Sequence, residues 1–272
     1  MRLDRLLVVL GEFDSRQKAQ EAIKAGKVAI NDTIVQKPAY EIDETLAAKI
    51  LESARESNNA NALALGLESK LDSNMPRITI IDRGFVSRAG KKLQGFLETC
   101  AKNAIPTSWQ SAIDVGAARG GFSQVLLTHG VRRVCCVDVG SGQLHTSIAT
   151  DPRVEVFERC DIRDFVRRYA RRFDVAVCDV SFISIGCIID DLCRLSDELI
   201  VLFKPQFEVG RGIKRSKRGV VQDSGAIDSS MQEVIVMIEN RGFCVRLVAE
   251  SSVKGKEGNA EFFIYACRES CS

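Results

Sequence analysis

Short apolar runs recur along the second two-thirds of the chain, and most deliver a charged residue at the end. They are Ala112-Ile113-Asp114-Val115, Val134-Cys135-Cys136-Val137 before Asp138, Val154-Glu155-Val156-Phe157, Phe173 to Cys178 before Asp179, and Leu199-Ile200-Val201-Leu202-Phe203 before Lys204. Runs of this length predict buried strands of an open α/β sheet. Segments of helical period lie between them. Leu93, Phe96, Leu97 and Cys100 mark an amphipathic helix over 89–102, 122–127 continues a glycine-rich turn as a helix, and 224–241 reads as a longer one. Phe243 to Val248 and Glu261 to Ala266 are predicted to close the sheet.

The first eighty residues carry a different pattern. Arg2 to Leu7 opens a short helix with one apolar face. Ser15 is a good N-cap for a second helix carrying Ala19, Ala22 and Ile23, which Gly26 ends. Lys27 to Ile30 alternates as a strand into an Asn31-Asp32 turn. Residues 46–76 read as an insertion, with a helical turn or two over 63–71, before a strand over 77–81. The predicted organisation is therefore a small α+β domain over 1–82, a linker over 83–88 and an α/β domain over 89–272.

Charge adds little in bulk and more in detail. The net charge is +2, but Arg5, Arg16, Lys18, Lys24 and Lys27 crowd the small domain's helices and turn. Arg88, Lys91 and Lys92 open the amphipathic helix, five arginines lie between 163 and 172, and 204–218 reads as a mobile basic loop. Such clusters suit phosphate contacts. Ten cysteines without a Cys-x-x-Cys pair, and two histidines, predict no metal site. Cys135 and Cys136 are expected as buried thiols. No stretch approaches the ~20 apolar residues of a membrane span, so a cytoplasmic, non-membrane protein is expected.

The stretch Asp114-Val115-Gly116-Ala117-Ala118-Arg119-Gly120-Gly121-Phe122 joins a strand to a helix through a glycine-rich turn. Glycines let backbone approach a ligand, and helix-start amides bind its anionic end. Asp114, Gly116, Ala117, Gly120, Gly121 and Phe122 are thus candidates for a nucleotide-like cofactor. Asp138 is placed to accept a ribose diol, Asp161 an adenine amino group, and Asp179 sits at the next strand end. These features leave NAD and S-adenosylmethionine both open.

Two resemblances narrow the choice. Arg2-Leu3-Asp4, Gly11, Ser15-Arg16, Ala19, Gly26-Lys27-Val28, Asn31-Asp32 and Lys37-Pro38 resemble the RNA-binding domain named after the fourth small-subunit ribosomal protein. It implies RNA contacts, foremost from Arg5, Arg16 and Lys18. Along the rest of the chain, Val86-Ser87-Arg88-x-x-x-Lys92-Leu93, Asp114-x-Gly-x-x-x-Gly-Gly-Phe, Asp138-Val139-Gly140, Asp179-x-Ser181-Phe182-Ile183-Ser184, Lys204-Pro205-Gln206-Phe207-Glu208 and Gly258-Asn259-x-Glu261 are similar to the TlyA family.

The family resemblance implies a Rossmann-like S-adenosylmethionine-dependent methyltransferase domain of the FtsJ type, fused to the RNA-binding domain. It implies the tetrad Lys92, Asp179, Lys204 and Glu261, and 2′-O-methylation of cytidine in ribosomal RNA within ribosomal subunits. Arg119 departs from the threonine common at its position, and Phe85 from a larger aromatic; both bear on affinity rather than chemistry. A ribose hydroxyl must lose its proton as it attacks. A lysine removes it only when its own ammonium is destabilised, for instance by a second lysine, so a base and an electrostatic clamp both remain open. A binding-only protein and a membrane-active haemolysin are the competing classes.

Overall fold

A computed structural model describes residues 1–13, 15–56, 78–80, 84–210 and 212–268, with the side chains of 53–56 left out. The chain divides into two compact units, Met1–Gly84 and Phe85–Ser272.

The first unit comprises α1 (Leu3–Val9), α2 (Arg16–Lys24), β1 (Val28–Ile30), β2 (Thr33–Ile34), α3 (Glu44–Glu56) and β3 (Ile78–Ile80). Ser15 caps α2 by accepting the Lys18 amide at 3.3 Å. The strands form an antiparallel sheet in the order β2-β1-β3. Asn31 and Asp32 both adopt positive φ, 49° and 61°, which turns β1 tightly into β2. Leu3, Leu6, Leu7, Ile23, Val28 and Ile78 fill the core. The start of the expected insertion is helical, as α3, and its remainder lies outside the described residues.

The second unit comprises α4 (Arg88–Lys102), β4 (Ser111–Val115), α5 (Gly121–Thr128), β5 (Arg133–Val137), α6 (Thr146–Ala149), β6 (Val154–Phe157), α7 (Ile162–Arg168) and β7 (Val175–Cys178). A 3₁₀ turn (Ile185–Cys187), α8 (Ile189–Leu195), β8 (Glu198–Phe203), α9 (Pro205–Glu208), α10 (Ser224–Glu239), β9 (Phe243–Glu250) and β10 (Phe262–Arg268) complete it. Seven strands lie in the order β6-β5-β4-β7-β8-β10-β9. The five from β4 to β8 run parallel, while β10 pairs antiparallel with both β8 and β9.

The predicted strands of the second unit are all present; the central ones, β4, β5, β7 and β8, are apolar on both faces, and each face has its own core. Ile113 and Val115 face the α7–α8–α10 side. Ala112 faces α4 and α5, where Phe96 stacks on Phe263 with ring centres 4.5 Å apart. Cys135 and Cys136 are buried, as expected, and burial pushes the Cys136 thiol up to about 12. Strand order reverses between β4 and β7, and a crevice therefore opens beyond their carboxyl ends.

Candidate active site

That crevice is a cleft of about 290 Å³, lined by residues from three sources. Ser87, Arg88, Ala89 and Lys92 come from the start of α4, Asp114 to Phe122 contribute the glycine turn, and Asp179, Ser181 and Lys204 come from the ends of β7 and β8. These residues lie up to 117 positions apart in sequence, and sheet topology brings them together.

Two lysine–carboxylate pairs flank the cleft. Lys92, buried on α4, donates to Glu261 Oε2 at 2.5 Å. Glu261 lies just before β10 and is 3% exposed, so it braces Lys92 from behind. Lys204 forms an ion pair with Asp179 and donates to Val180 O at 2.9 Å and Ser181 Oγ at 3.0 Å. The Asp179 oxygen accepts no hydrogen bond of good geometry, so its contact with Lys204 is one of charge. Two hydrogen-bond acceptors and the charge of the Asp179 carboxylate therefore surround the Lys204 ammonium.

Three glycines of the turn sit where a Cβ would collide with a neighbouring element. Gly116 sits at φ 81°, where a Cβ would lie 2.8 Å from the Asp179 carbonyl oxygen. A Cβ on Gly121 would meet Ser87 Oγ at 2.1 Å and the Gly90 amide at 2.8 Å. On Gly120 it would meet Leu144 at 2.8 Å. Gly120 and Gly121 are thus contact points with neighbouring elements, and neither lines the cleft.

Asp114 is fully buried and accepts from the Ser123 amide at 2.9 Å and Ser123 Oγ at 2.6 Å, both on Oδ2. Its Oδ1 has no hydrogen-bond partner. Burial, opposed by Ser123 and reinforced by the charges of Asp179 and Asp138, pushes its carboxyl up to about 7. Asp138, at the end of β5, accepts the Ala118 amide at 2.8 Å and the Gly140 amide at 2.7 Å. It ties the two cofactor-side turns together while keeping lone pairs for hydroxyl donors.

Asp161 does not join this group. It caps α7 through the Arg163 amide at 2.9 Å and holds the Arg163 guanidinium with both oxygens. Both its oxygens are engaged there and it lines no part of the cleft, so the adenine-reading role expected for it lacks support. Beside Asp138, a small pocket is lined instead by Gly140, Gln143, Leu144, Phe157 and Glu158.

The basic residues sort in the same way. Arg5, Lys18, Lys24, Arg88 and Lys91 are exposed and Lys27 half-buried. Arg16 donates to buried Asp4 at 2.9 Å, which gives it a structural task. On and beyond α7, Arg163, Arg167, Arg171 and Arg172 each pair with a carboxylate. The basic loop after Lys204 is ordered at its start by α9, where Glu208 accepts from Ser184 Oγ at 2.7 Å and the Ile185 amide at 3.0 Å.

Sequence patterning did not single out Phe182. It is 92% exposed, beside Ser181, and holds φ 68°. Positive φ is costly for a bulky side chain and tends to persist at functional positions. Its ring lies 5.2 Å from that of Phe207. The one signal was its place in Asp179-x-Ser181-Phe182.

The cleft suits a nucleoside cofactor with a cationic head. It is bordered by Gly116 and by the unpartnered buried acid Asp114, and Asp138 lies in the small pocket beside it. Among the described residues no group of three or more His, Cys, Asp or Glu could hold a metal ion, and no helix is long and apolar enough to cross a membrane.

Comparisons with known proteins agree in both units. Residues 85–268 match the FtsJ-like methyltransferase family, and residues 1–46 match the S4 domain. The chain is 34% identical over 252 residues to the 23S rRNA (cytidine-2′-O)-methyltransferase TlyA of Campylobacter jejuni, covering 92% of this chain and 93% of that one. It is 35% identical to the 16S/23S rRNA (cytidine-2′-O)-methyltransferase TlyA of Mycobacterium tuberculosis, covering 97% and 88%. Hemolysin A of Brachyspira hyodysenteriae is 31% identical, with 97% and 99% covered. A solved structure of a candidate hemolysin from Streptococcus thermophilus superposes with a TM-score of 0.61 at 28% identity, covering 99% of this chain and 89% of that one.

Proposed function

This chain belongs to the TlyA family, an FtsJ-like methyltransferase unit joined to an S4 domain, and on that premise we propose that it methylates the 2′-hydroxyl of cytidine in ribosomal RNA. The observation that carries the reading is the convergence of Lys92, Asp179 and Lys204 on one cleft beside the glycine turn, with Glu261 bracing Lys92. S-adenosylmethionine supplies an electrophilic methyl group when bound. Asp138 would hold its ribose diol and the open oxygen of Asp114 its cationic end, while Gly116 and Ala117 leave room for its chain.

The protein's own part is to position and polarise the acceptor. A ribose hydroxyl is a poor nucleophile at neutral pH, and negative charge grows on its oxygen as the proton leaves. Held by two hydrogen bonds and by the Asp179 charge, Lys204 serves best as a fixed cation facing that oxygen. Lys92, held by Glu261, adds a second cation on the opposite wall. Fixed placement of both reactants lowers the entropic part of the barrier. Exposed Phe182, with Phe207 behind it, offers a face on which the target base can stack.

The S4-containing unit supplies RNA affinity through Arg5, Lys18, Lys24 and Lys27, and Arg88 and Lys91 of the second unit add further contacts. Its division of labour and the reaction are tested together by primer extension at low nucleotide concentration on ribosomal RNA treated with protein and S-adenosylmethionine. A stop one nucleotide before a cytidine is expected with the full chain. Deleting 1–82 should remove the stop and leave cofactor binding intact. A full chain that leaves every cytidine unmodified on both subunits overturns the reading.

A further inference from the structure

The outward cations of two loops next to the reactive pairs have no part in the site described so far. Residues 212–221 fold back as a small hairpin, closed by the Arg215–Val221 bridge. Ser216 fastens its tip, exchanging backbone bonds with Val220 and Gly219 at 2.8 and 2.9 Å, while its Oγ accepts the Arg218 and Val220 amides at 3.2 and 3.1 Å. The Arg215 guanidinium is turned inward onto the carbonyls of Val209, Gly210 and Ile213. Lys214, Lys217 and Arg218 face solvent.

The second loop, 251–261, joins β9 to β10 and carries exposed Lys254 and Lys256. It packs directly on the catalytic pair: a Cβ on Gly255 would lie 2.5 Å from Glu261 Oε1. Asn259 joins the loops. It is 4% exposed; its Oδ1 accepts the Val221 amide at 3.0 Å and its Nδ2 donates to Gly219 O at 3.4 Å. Burying an amide is costly unless both of its ends are satisfied. Here both ends are used to hold a surface hairpin rather than core structure. The five outward cations show no ion pair among the described residues; the loops themselves carry one exposed carboxylate, Glu257, with Asp223 and Glu250 exposed at their ends.

We propose that these loops form a rim that grips the phosphate backbone of the acceptor RNA beside the reactive lysines, and that Asn259 is the positioning residue that fixes one loop against the other. The proposal rests on the methyl-transfer reading and extends it to the side of the cleft where the strand lies. A polyanion suits the rim because several fixed, unpaired cations release condensed counterions together.

The test uses the full chain, wild type and Lys217→Ala/Arg218→Ala, with in-vitro-transcribed 16S and 23S rRNA as probes. Both substituted side chains are exposed, so folding should be untouched. Affinity for RNA should fall roughly ten-fold near physiological salt, and the slope of log affinity against log salt should become shallower by about 1.4 to 1.8, the contribution of two phosphates. Cofactor affinity and the single-turnover rate at saturating RNA should not change.

Asn259→Ala should weaken RNA binding in the wild-type background and add little in the double-variant background, since it acts through the same hairpin. A purely structural amide would give additive losses. Wild-type RNA affinity and salt slope in the double variant overturn the rim. So does a loss confined to assembled subunits and absent on naked transcripts, which would make the partner a ribosomal protein. Wild-type protein that binds RNA with the steep slope yet transfers no methyl group removes the enzymatic reading and leaves the rim standing.

Discussion

Asp4 in the first unit and Asp114 in the second are both wholly buried, and their surroundings are opposite. Asp4 accepts from Arg2 at 3.2 and 3.0 Å, Arg16 at 2.9 Å and Gln20 at 2.6 Å. Burial works to raise its carboxyl, but these hydrogen bonds outweigh it and hold the group below its ordinary value. Asp114 has Ser123 on one oxygen and nothing on the other, and faces two further carboxylates rather than cations. The first network is closed and behaves as a rivet between α1 and α2. The second is left open toward a cleft, at a cost in stability that only a ligand can return. Open polar valence in a buried place separates site from scaffold in this chain better than burial or charge does.

The largest expected effect lies on the open side. Lys204→Ala should slow single-turnover methyl transfer by about 10²–10⁴-fold, with cofactor affinity and unfolding midpoint unchanged. Lys204→Arg should remain well above the alanine variant, because the fixed charge persists. An arginine variant as slow as alanine, with normal RNA and cofactor binding, would return the proton-accepting role to Lys204.

Asp138→Ala comes next. Losing a charged acceptor should weaken cofactor binding by about 1.5–3 kcal/mol, read by calorimetry; unchanged affinity would remove Asp138 from the cofactor site. On the closed side, Asp4→Asn should cost about 1–3 kcal/mol of the first unit's stability at neutral pH, measured by denaturant unfolding, without touching cofactor affinity. A catalytic loss at full stability would break the contrast.

The pH dependence is the most discriminating effect, because the two acids have opposite signs in pH. The lowered Asp4 carboxyl contributes stability above the ordinary carboxylate range, and that contribution disappears as pH falls through it. Asp114, raised to about 7, binds a proton more tightly when folded. Its contribution is full at acid pH and is lost as pH climbs from the ordinary carboxylate range to about 7. Asp114→Asn should flatten the unfolding free energy of the second unit over that window, and Asp4→Asn should flatten that of the first only below it. Identical pH profiles for Asp114→Asn and wild type would show that Asp114 titrates normally.

Much of this was legible beforehand because strands apolar on both faces announce themselves in a linear chain. The five parallel strands, their terminal acids and Lys204 all followed from runs of β-branched and aromatic residues. The N-cap at Ser15 and the Asn31-Asp32 turn followed from local backbone chemistry. Other features needed the third dimension. Gly120 and Gly121 look identical to Gly116 in a motif, yet they meet α6 and α4 rather than the cleft. Asp161 ends a strand–loop segment like Asp138, yet a neighbouring arginine claims both its oxygens. Phe182 reads as an ordinary apolar residue until its φ and its exposure are known.

The order of residues decided the elements, the resemblance of their motifs and the chemical types present at each strand end, because these depend on neighbours a few positions away. Which carboxylate meets which lysine was decided by the sheet. Lys92 and Glu261 are 169 residues apart, and Lys204 reaches Asp179 only because β7 and β8 run side by side in parallel. Charge partners, open valences and the joining of two basic loops by one buried amide depend on distances through space. No local pattern encodes them, since the same residue types would serve equally as a solvated surface.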